Sequence, residues 1–229
     1  MQMALWNHLD ELRSRLLKVL LVIALLALIS FWATDWILQW LLKPFSFATL
    51  SLTSLKPADV FVQSMRLSLL GGLILGFPIL SYQVWSFIAP GLSKAEKKVV
   101  LIILCCGTFL FGLGVFFAYF LVVPKALAFF WGYSHDLGVQ PTWTIEHYLN
   151  FVLMFLLSFG VAFELPLVLV SLVRFKIVSV EWLSEKRPII IICLAILAAI
   201  LTPPDVVSML MLGIPLWLLF EISVLVAKI

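Results

Sequence analysis

The sequence predicts an all-α polytopic membrane protein with six transmembrane helices and both termini in the cytoplasm. Three observations predict it. First, the 229 residues are 64% hydrophobic and only 12% charged, with a mean hydropathy of +1.18. A soluble domain of this size cannot bury so much apolar surface, the usual apolar share being roughly 45–50%. Second, apolar runs of spanning length recur along the chain, and about 18 residues are enough to cross hydrocarbon. Third, the basic residues are segregated. Of fifteen lysines and arginines, eleven fall at the N-terminus, in the second and fourth connections or at the C-terminus, and only Lys43, Lys56, Arg66 and Lys125 fall elsewhere. The positive-inside rule assigns the larger group to the cytoplasm. The net charge of +3 is therefore a topology signal, and the absence of a basic stripe excludes a nucleic-acid partner.

In chain order, Trp6–Leu16 (WNHLDELRSRL) reads as a short amphipathic helix. Asn7 is a suitable N-cap, Asp10 is placed to reach back to it, and Leu9, Leu12 and Leu16 form one apolar face. The first span covers about residues 16–37. A cleaved secretory signal is the alternative for this segment, but the acidic pair Asp10 and Glu11 and the lack of a small-x-small cleavage site favour a retained helix. Trp32, Trp36 and Trp40 share one face and read as an interfacial anchor. Pro44 ends the helix, and Lys56-Pro57-Ala58-Asp59 opens the second span, 60–88, with Pro57 near its first turn. Gly71, Gly72 and Gly76 permit close helix packing, and Pro78 implies a kink. Arg66 near the outer end can snorkel to the interface.

The inner connection Ala89–Lys98 contains Ser93-Lys94-Ala95-Glu96, a capping box for the third span, 99–123. The stretch Trp131–His147 reads as turns, and Thr144 caps the fourth span, 148–173. The fifth apolar segment, 188–202, is short. Its 13 apolar residues Ile189–Leu201 extend roughly 20 Å at 1.5 Å each, against a core of roughly 30 Å. A prolyl turn joins it to the sixth span, 206–227, which Gly213 and Pro215 bend. There is no internal repeat, so residues 1–229 read as a single membrane domain.

The polar residues within these spans are few. Glu164 lies about two-thirds along the fourth span, where an ionised carboxylate costs roughly 2.5–3.5 kcal/mol on insertion scales. Pro166 removes the donor for the carbonyl of Ala162, and Gly160 admits a close neighbour. Glu164 is either a neutral acid tying the helix to its neighbours or a functional group facing a polar concavity. Glu221 reaches the inner interface. Glu11 can pair with Arg15 four residues on, Glu96 has a capping role, and Thr202-x-x-Asp205 is a capping pattern. Cys105, Cys106 and Cys193 read as small packing residues. No nucleophile-base set, cofactor motif or metal-ligand spacing is present, so neither an enzyme nor a cofactor is expected.

Several stretches together are similar to one family: His8–Leu16, Tyr82–Lys98, Gly114–Leu127, Phe159–Val170, Leu201–Ser208 and Phe220–Val224. The ordered set, covering nearly the whole chain, resembles TatC, the receptor subunit of the twin-arginine protein translocase. The resemblance implies a concave, cupped six-helix bundle in the bacterial inner membrane. It implies a cytoplasmic surface that binds twin-arginine signal peptides, and partnership with TatA and TatB-like single-helix subunits. It also implies self-association and export of folded proteins on the proton motive force. Glu11 and Glu96 match the family's acids at the signal site, Arg13 and Phe87 match positions tied to recognition, and Lys94 and Lys97 flank the second acid. Glu164 matches the intramembrane glutamate and Asp205 the acid after the double proline. Ser208 is followed by Met209 where many relatives have a glutamine, which weakens the expectation of a polar partner contact at Asp205, Ser208 and Met209. The competing readings are a proton-coupled secondary transporter using Glu164 and a structural scaffold whose acids are caps and ion pairs.

Overall fold

The structure is a computed structural model that describes residues 2–45, 52–88 and 94–228, with side chains described within 10–44, 52–86 and 102–228. Its first helix, α1 (Gln2–Trp32), is continuous. The expected amphipathic segment and the first span are fused, so Asn7 lies inside the helix rather than capping it. Nothing between them interrupts a run rich in leucine and alanine, and high helix propensity carries the backbone through. The break comes at Ala33, where the Thr34 hydroxyl donates to the carbonyls of Ser30 (3.3 Å) and Phe31 (2.6 Å). Helix α2 (Thr34–Leu42) and a 3₁₀ turn through Pro44 follow. Trp32 is 93% exposed, and Trp36 packs on Trp40 with ring centroids 5.7 Å apart.

Helix α3 (Asp59–Ile88) starts two residues after Pro57 and carries Pro78 inside it. The Asp59 carboxylate accepts from the backbone N–H groups of Leu55 (3.0 Å) and Lys56 (2.8 Å), which closes the entry turn. Helix α4 (Lys94–Phe117), a π-helical segment Ala118–Val122 and α5 (Val123–Asp136) form one helical rod. The π turn comes just before Pro124, whose missing N–H has to be accommodated somewhere. The rod is longer than expected: Trp131–Asp136 is helix, not turn. The Ser134 hydroxyl bonds back to the Phe130 carbonyl at 2.9 Å, and Phe129 stacks on Tyr133 one turn later. The turn falls instead at Gly138, with φ +72, a conformation that glycine adopts without steric cost.

The expected fourth span is two helices, α6 (Ile145–Ala162) and α7 (Leu165–Arg174). As expected, Thr144 caps α6, its hydroxyl oxygen accepting from the His147 N–H at 3.2 Å. A short helix not anticipated from sequence, α8 (Val180–Glu185), is capped by Ser179 and anchored by buried Leu183. Then come α9 (Arg187–Leu201) and α10 (Val206–Ala227). Among the described residues, five helices are long and apolar enough to cross a membrane: Asp10–Trp32, Asp59–Ser86, Ile102–Asp136, Ile145–Arg174 and Val206–Ala227; Arg187–Leu201 is a shorter apolar helix. Among the described residues there is no strand, only an isolated bridge between Thr53 and Thr144.

Packing divides the chain into two compact units, Met1–Trp40 with Phe61–Phe109, and Leu41–Val60 with Leu110–Ile229. In the first, α1 lies directly on α3. A Cβ on Gly72 would stand 2.6 Å from the Ala27 nitrogen and 2.8 Å from the Ile23 carbonyl, so only glycine allows the two backbones this close. In the second, α6 is the core element: Val152, Phe155 and Phe159 are wholly buried. Phe159 packs on Phe155 and Phe117 with centroids 6.1 and 5.7 Å away. The Tyr148 hydroxyl donates to the Leu41 carbonyl at 2.5 Å, and the Ser158 hydroxyl to the Leu201 carbonyl at 2.6 Å.

Two glycines of α4 give an internal control. A Cβ on Gly114 would run into the Phe159 carbonyl oxygen, whereas one on Gly112 meets nothing within 4 Å. Gly114→Ala is expected to destabilise the protein by about 1–3 kcal/mol, the usual cost of overpacking, and Gly112→Ala to be neutral or slightly stabilising. Thermal unfolding of both variants in detergent checks this.

Candidate functional site

The helical spacing of the N-terminal segment puts two sets of residues on opposite sides of α1. Asp10, Arg13, Ser14, Leu17, Lys18 and Leu21 line a shallow open depression. Leu12, Arg15, Leu16 and Val19 face α3 and enclose, with Leu80, Gln83 and Val84, an apolar groove of about 380 Å³. At the end of that groove the expected i,i+4 pair is formed. Arg15 donates to Glu11 Oε1 from Nη2 at 2.7 Å and from Nε at 3.0 Å. Its remaining nitrogen, Nη1, donates to Gln83 Oε1 at 3.2 Å. The guanidinium therefore bonds a carboxylate within α1 and crosses to α3 only through the Gln83 amide. The pair is half-exposed, with Arg15 and Glu11 side chains 23% and 36% accessible, so its net worth is small, on the order of 1 kcal/mol or less.

Of the other residues expected at this site, Arg13 lies on the opposite side of α1 from Arg15. Phe87 is in the last turn of α3, and Lys94, Glu96 and Lys97 are in the first turn of α4. The side chains of these four lie outside the described residues, as does the capping box from Ser93 to Glu96. Gln83 was not singled out in the sequence; a lone amide near the inner end of an apolar span was the signal available.

Glu164 occupies the turn between α6 and α7, not the interior of a continuous helix. Pro166 removes a helical donor, and the chain responds by breaking. Phe163 and Glu164 donate N–H to the carbonyls of Phe159 (3.0 Å) and Val161 (3.1 Å), and helix resumes with Val168 N–H to the Glu164 carbonyl (3.0 Å). Phe163 packs on Phe117 with centroids 5.5 Å apart, and Gly160 lies against the Phe111 ring. The Glu164 carboxyl is half-buried, and its Oε1 is inaccessible with no hydrogen-bond partner among the described residues. The tie to a neighbouring helix expected of a purely structural acid is thus not made there.

At the start of α10, Asp205 is itself the N-cap, accepting from the Ser208 N–H at 2.7 Å. Thr202, expected to cap, instead donates to the Ala198 carbonyl at 2.8 Å and finishes α9. Ser208 is fully buried with an unpartnered Oγ, and Met209 continues the helix. Asp205 also borders a cavity of about 360 Å³ lined by His147, Tyr148, Trp143 and Phe130. Glu221, expected to reach the interface, pairs with Arg187 at 3.1 Å, joining the start of α9 to the last turns of α10. Among the described residues no cluster of three metal-ligating side chains occurs, and the three cysteines are free and exposed on helix surfaces.

Comparison with known proteins gives these features a context. A family model described as Sec-independent protein translocase protein (TatC) matches residues 7–215. A Sec-independent protein translocase protein TatC from Carboxydothermus hydrogenoformans is 36% identical, over 99% of this chain and 93% of that one. The TatC of Escherichia coli is 37% identical, over 97% and 87%. A crystal structure of the twin-arginine translocase receptor TatC in DDM superposes with a TM-score of 0.88 at 34% identity, covering 97% of this chain and 100% of that one. A lipid-soluble helical chain matched along nearly its whole length by these proteins belongs to the TatC family: it is a multi-span membrane subunit of a protein translocase and not an enzyme.

Proposed function

We propose that this chain is the receptor subunit of a twin-arginine translocase, a single six-span domain of the bacterial inner membrane with both termini in the cytoplasm. It binds the paired arginines of signal peptides on its cytoplasmic face through Glu11 and Glu96, with Arg13, Phe87 and Lys94 beside them. TatA and TatB-like single-helix subunits assemble with it, Asp205, Ser208 and Met209 lying on the contacting side, and folded cargo crosses on the proton motive force. The observation that carries this reading is that Glu11 already holds a guanidinium at 2.7 Å. A carboxylate accepts two N–H groups of the planar guanidinium fork, which an ammonium cannot reproduce. Two acids on neighbouring segments thus favour two consecutive arginines over two lysines.

Glu164 belongs to a later step. A carboxyl group at a proline break whose Oε1 has no hydrogen-bond partner among the described residues is available to an inserted signal helix or a partner helix, and intramembrane acids of this kind are functional by default. The 15 residues of α9 reach roughly 22 Å at 1.5 Å each, short of a core of roughly 30 Å. Mismatch of that size is relieved by local thinning of the bilayer, which lowers the barrier to cargo.

Three outcomes are expected. Glu11→Ala combined with Glu96→Ala abolishes binding of a twin-arginine peptide, each acid contributing roughly tenfold or more, while circular dichroism stays unchanged; wild-type affinity in the folded double variant rules the pocket out. Glu164→Ala reduces transport into inverted vesicles far more than it reduces peptide binding, and equal loss of both, or of neither, refutes the separation. Extending α9 by about five apolar residues impairs export, so full export by a folded, extended variant would remove the thinning role.

A further inference from the structure

The cavity beside Asp205 is not used by the proposed signal-binding surface. It holds about 360 Å³ and lies at the end of the second unit where α5 finishes and α6 and α10 begin. Its wall is mostly aromatic, built from Phe130, Trp143, Tyr148 and Phe151, with Asp205 and His147 among them. We propose that this cavity binds the headgroup of a phospholipid that carries an ammonium ion, with Asp205 as its counter-charge. The inference goes beyond the signal-binding reading and uses none of its residues. Asp205 alone is shared with the side proposed to meet partner subunits.

Charge selects the class of ligand. Asp205 is the one carboxylate in the wall, and among the described residues no lysine or arginine pairs with it. Its Oδ1 accepts the Ser208 N–H at 2.7 Å, which fixes the side chain and leaves its negative charge in place. Aromatic faces are also electron-rich, so a cation is attracted by rings and carboxylate together, whereas an anion is repelled by both. The wall residues are held by contacts of their own. The Trp143 carbonyl accepts from the Thr53 N–H at 3.1 Å, and its ring meets Trp131 edge-on at 6.1 Å. Phe130 and Phe151 meet edge-on at 6.1 Å, and the Tyr148 hydroxyl is tied to the Leu41 carbonyl. A wall fixed in advance has little ordering cost on binding.

Size and position select the source of the ammonium. A space of about 360 Å³ takes a headgroup and not a helix, and the level at which spanning helices end is the level of lipid headgroups. His147 supplies what a bare amine would not need. Thr144 Oγ1 accepts the His147 N–H and lies 2.7 Å from Nδ1. With Nδ1 accepting the hydroxyl proton, the imidazole proton is on Nε2, a donor for the phosphate ester that adjoins the ammonium.

The test is a native mass-spectrometry titration of the full chain in detergent with short-chain phosphatidylethanolamine, phosphatidylcholine and phosphatidylglycerol. A single phosphatidylethanolamine is expected to bind per chain. Phosphatidylcholine, whose ammonium has no N–H, binds more weakly, and phosphatidylglycerol, which has no cation, weakest. Asp205→Asn separates charge from capping, because asparagine caps a helix as well as aspartate does. It is expected to lower phosphatidylethanolamine affinity roughly tenfold and phosphatidylcholine affinity less, with thermal unfolding like that of wild type. Trp143→Leu is expected to weaken both ammonium lipids roughly two- to fivefold. Phosphatidylglycerol bound as tightly as phosphatidylethanolamine, or unchanged affinity in folded Asp205→Asn and Trp143→Leu variants, overturns the site. An apolar peptide with a free amino terminus that binds through Asp205 while no lipid is retained assigns the cavity to a polypeptide and overturns the lipid. The titration contains no signal peptide and no partner subunit, so its failure is distinct from failure of the receptor reading.

Discussion

Hydrocarbon offers no hydrogen bond, and that constraint organises this molecule. Each backbone polar group inside the bilayer must find a partner in the protein, at a cost of several kcal/mol when it does not. A proline in a span therefore requires an answer; Pro78 and Pro215 are carried inside α3 and α10, and three other sites answer differently. Ahead of Pro124 the helix widens into a π turn over Ala118–Val122. Ahead of Pro166 it breaks and restarts, leaving Glu164 in the gap. After Pro203 and Pro204 it begins a new helix capped by the Asp205 carboxylate. Two of the acids with functional candidacy, Glu164 and Asp205, thus sit where a proline has interrupted the backbone ladder. At Asp205 the carboxylate caps the new helix, whereas the Glu164 side chain makes no cap bond to the interrupted backbone.

The other consequence of an apolar solvent is that packing, not hydrophobic segregation, must hold helices together. Glycine supplies the close approach in both units: Gly72 brings α3 onto α1, and Gly114 brings α4 onto α6. Polar bonds then fix the register at the ends of the helices, Arg15 with Gln83 on one side and Tyr148 with the Leu41 carbonyl on another. Arg187 with Glu221 does the same for α9 and α10. The Arg15–Gln83 and Arg187–Glu221 ties are partly exposed, whereas the Tyr148–Leu41 tie is buried.

What could be read from the sequence was what depends on neighbours within one helical turn. The spans followed from composition. The Thr144 cap and the Glu11–Arg15 pair each join residues three or four apart and were visible as spacings. What could not be read depends on tertiary packing. Arg15 meets Gln83 across 68 positions, and Tyr148 meets Leu41 across 107. Asn7 looked like a cap because its chemistry suits one, but local capping competes with helix propensity on both sides, and here the longer helix wins. Thr202 and Asp205 were both good caps, and the Ala198 carbonyl, left open by the end of α9, took the threonine. At Pro166 the lost donor was foreseeable, but whether the helix would kink or break was decided by how α6 and α7 pack in the aromatic core around Phe159 and Phe163. The proposed recognition surface was legible as a resemblance more than as geometry, since the spacing of two acids on separate helices is not encoded in either helix alone.

The claim on which the account turns is that carboxylates at the inner ends of α1 and α4 grip an arginine pair. The most direct measurement is photocrosslinking with benzoylphenylalanine in place of Phe87, which lies in the last turn of α3 and leaves both acids intact. The account predicts strong labelling of an Arg-Arg peptide that is lost when both arginines are lysine and is competed away by unlabelled Arg-Arg peptide. Equal labelling of the two peptides, or no labelling while the Arg-Arg peptide remains bound, would contradict it.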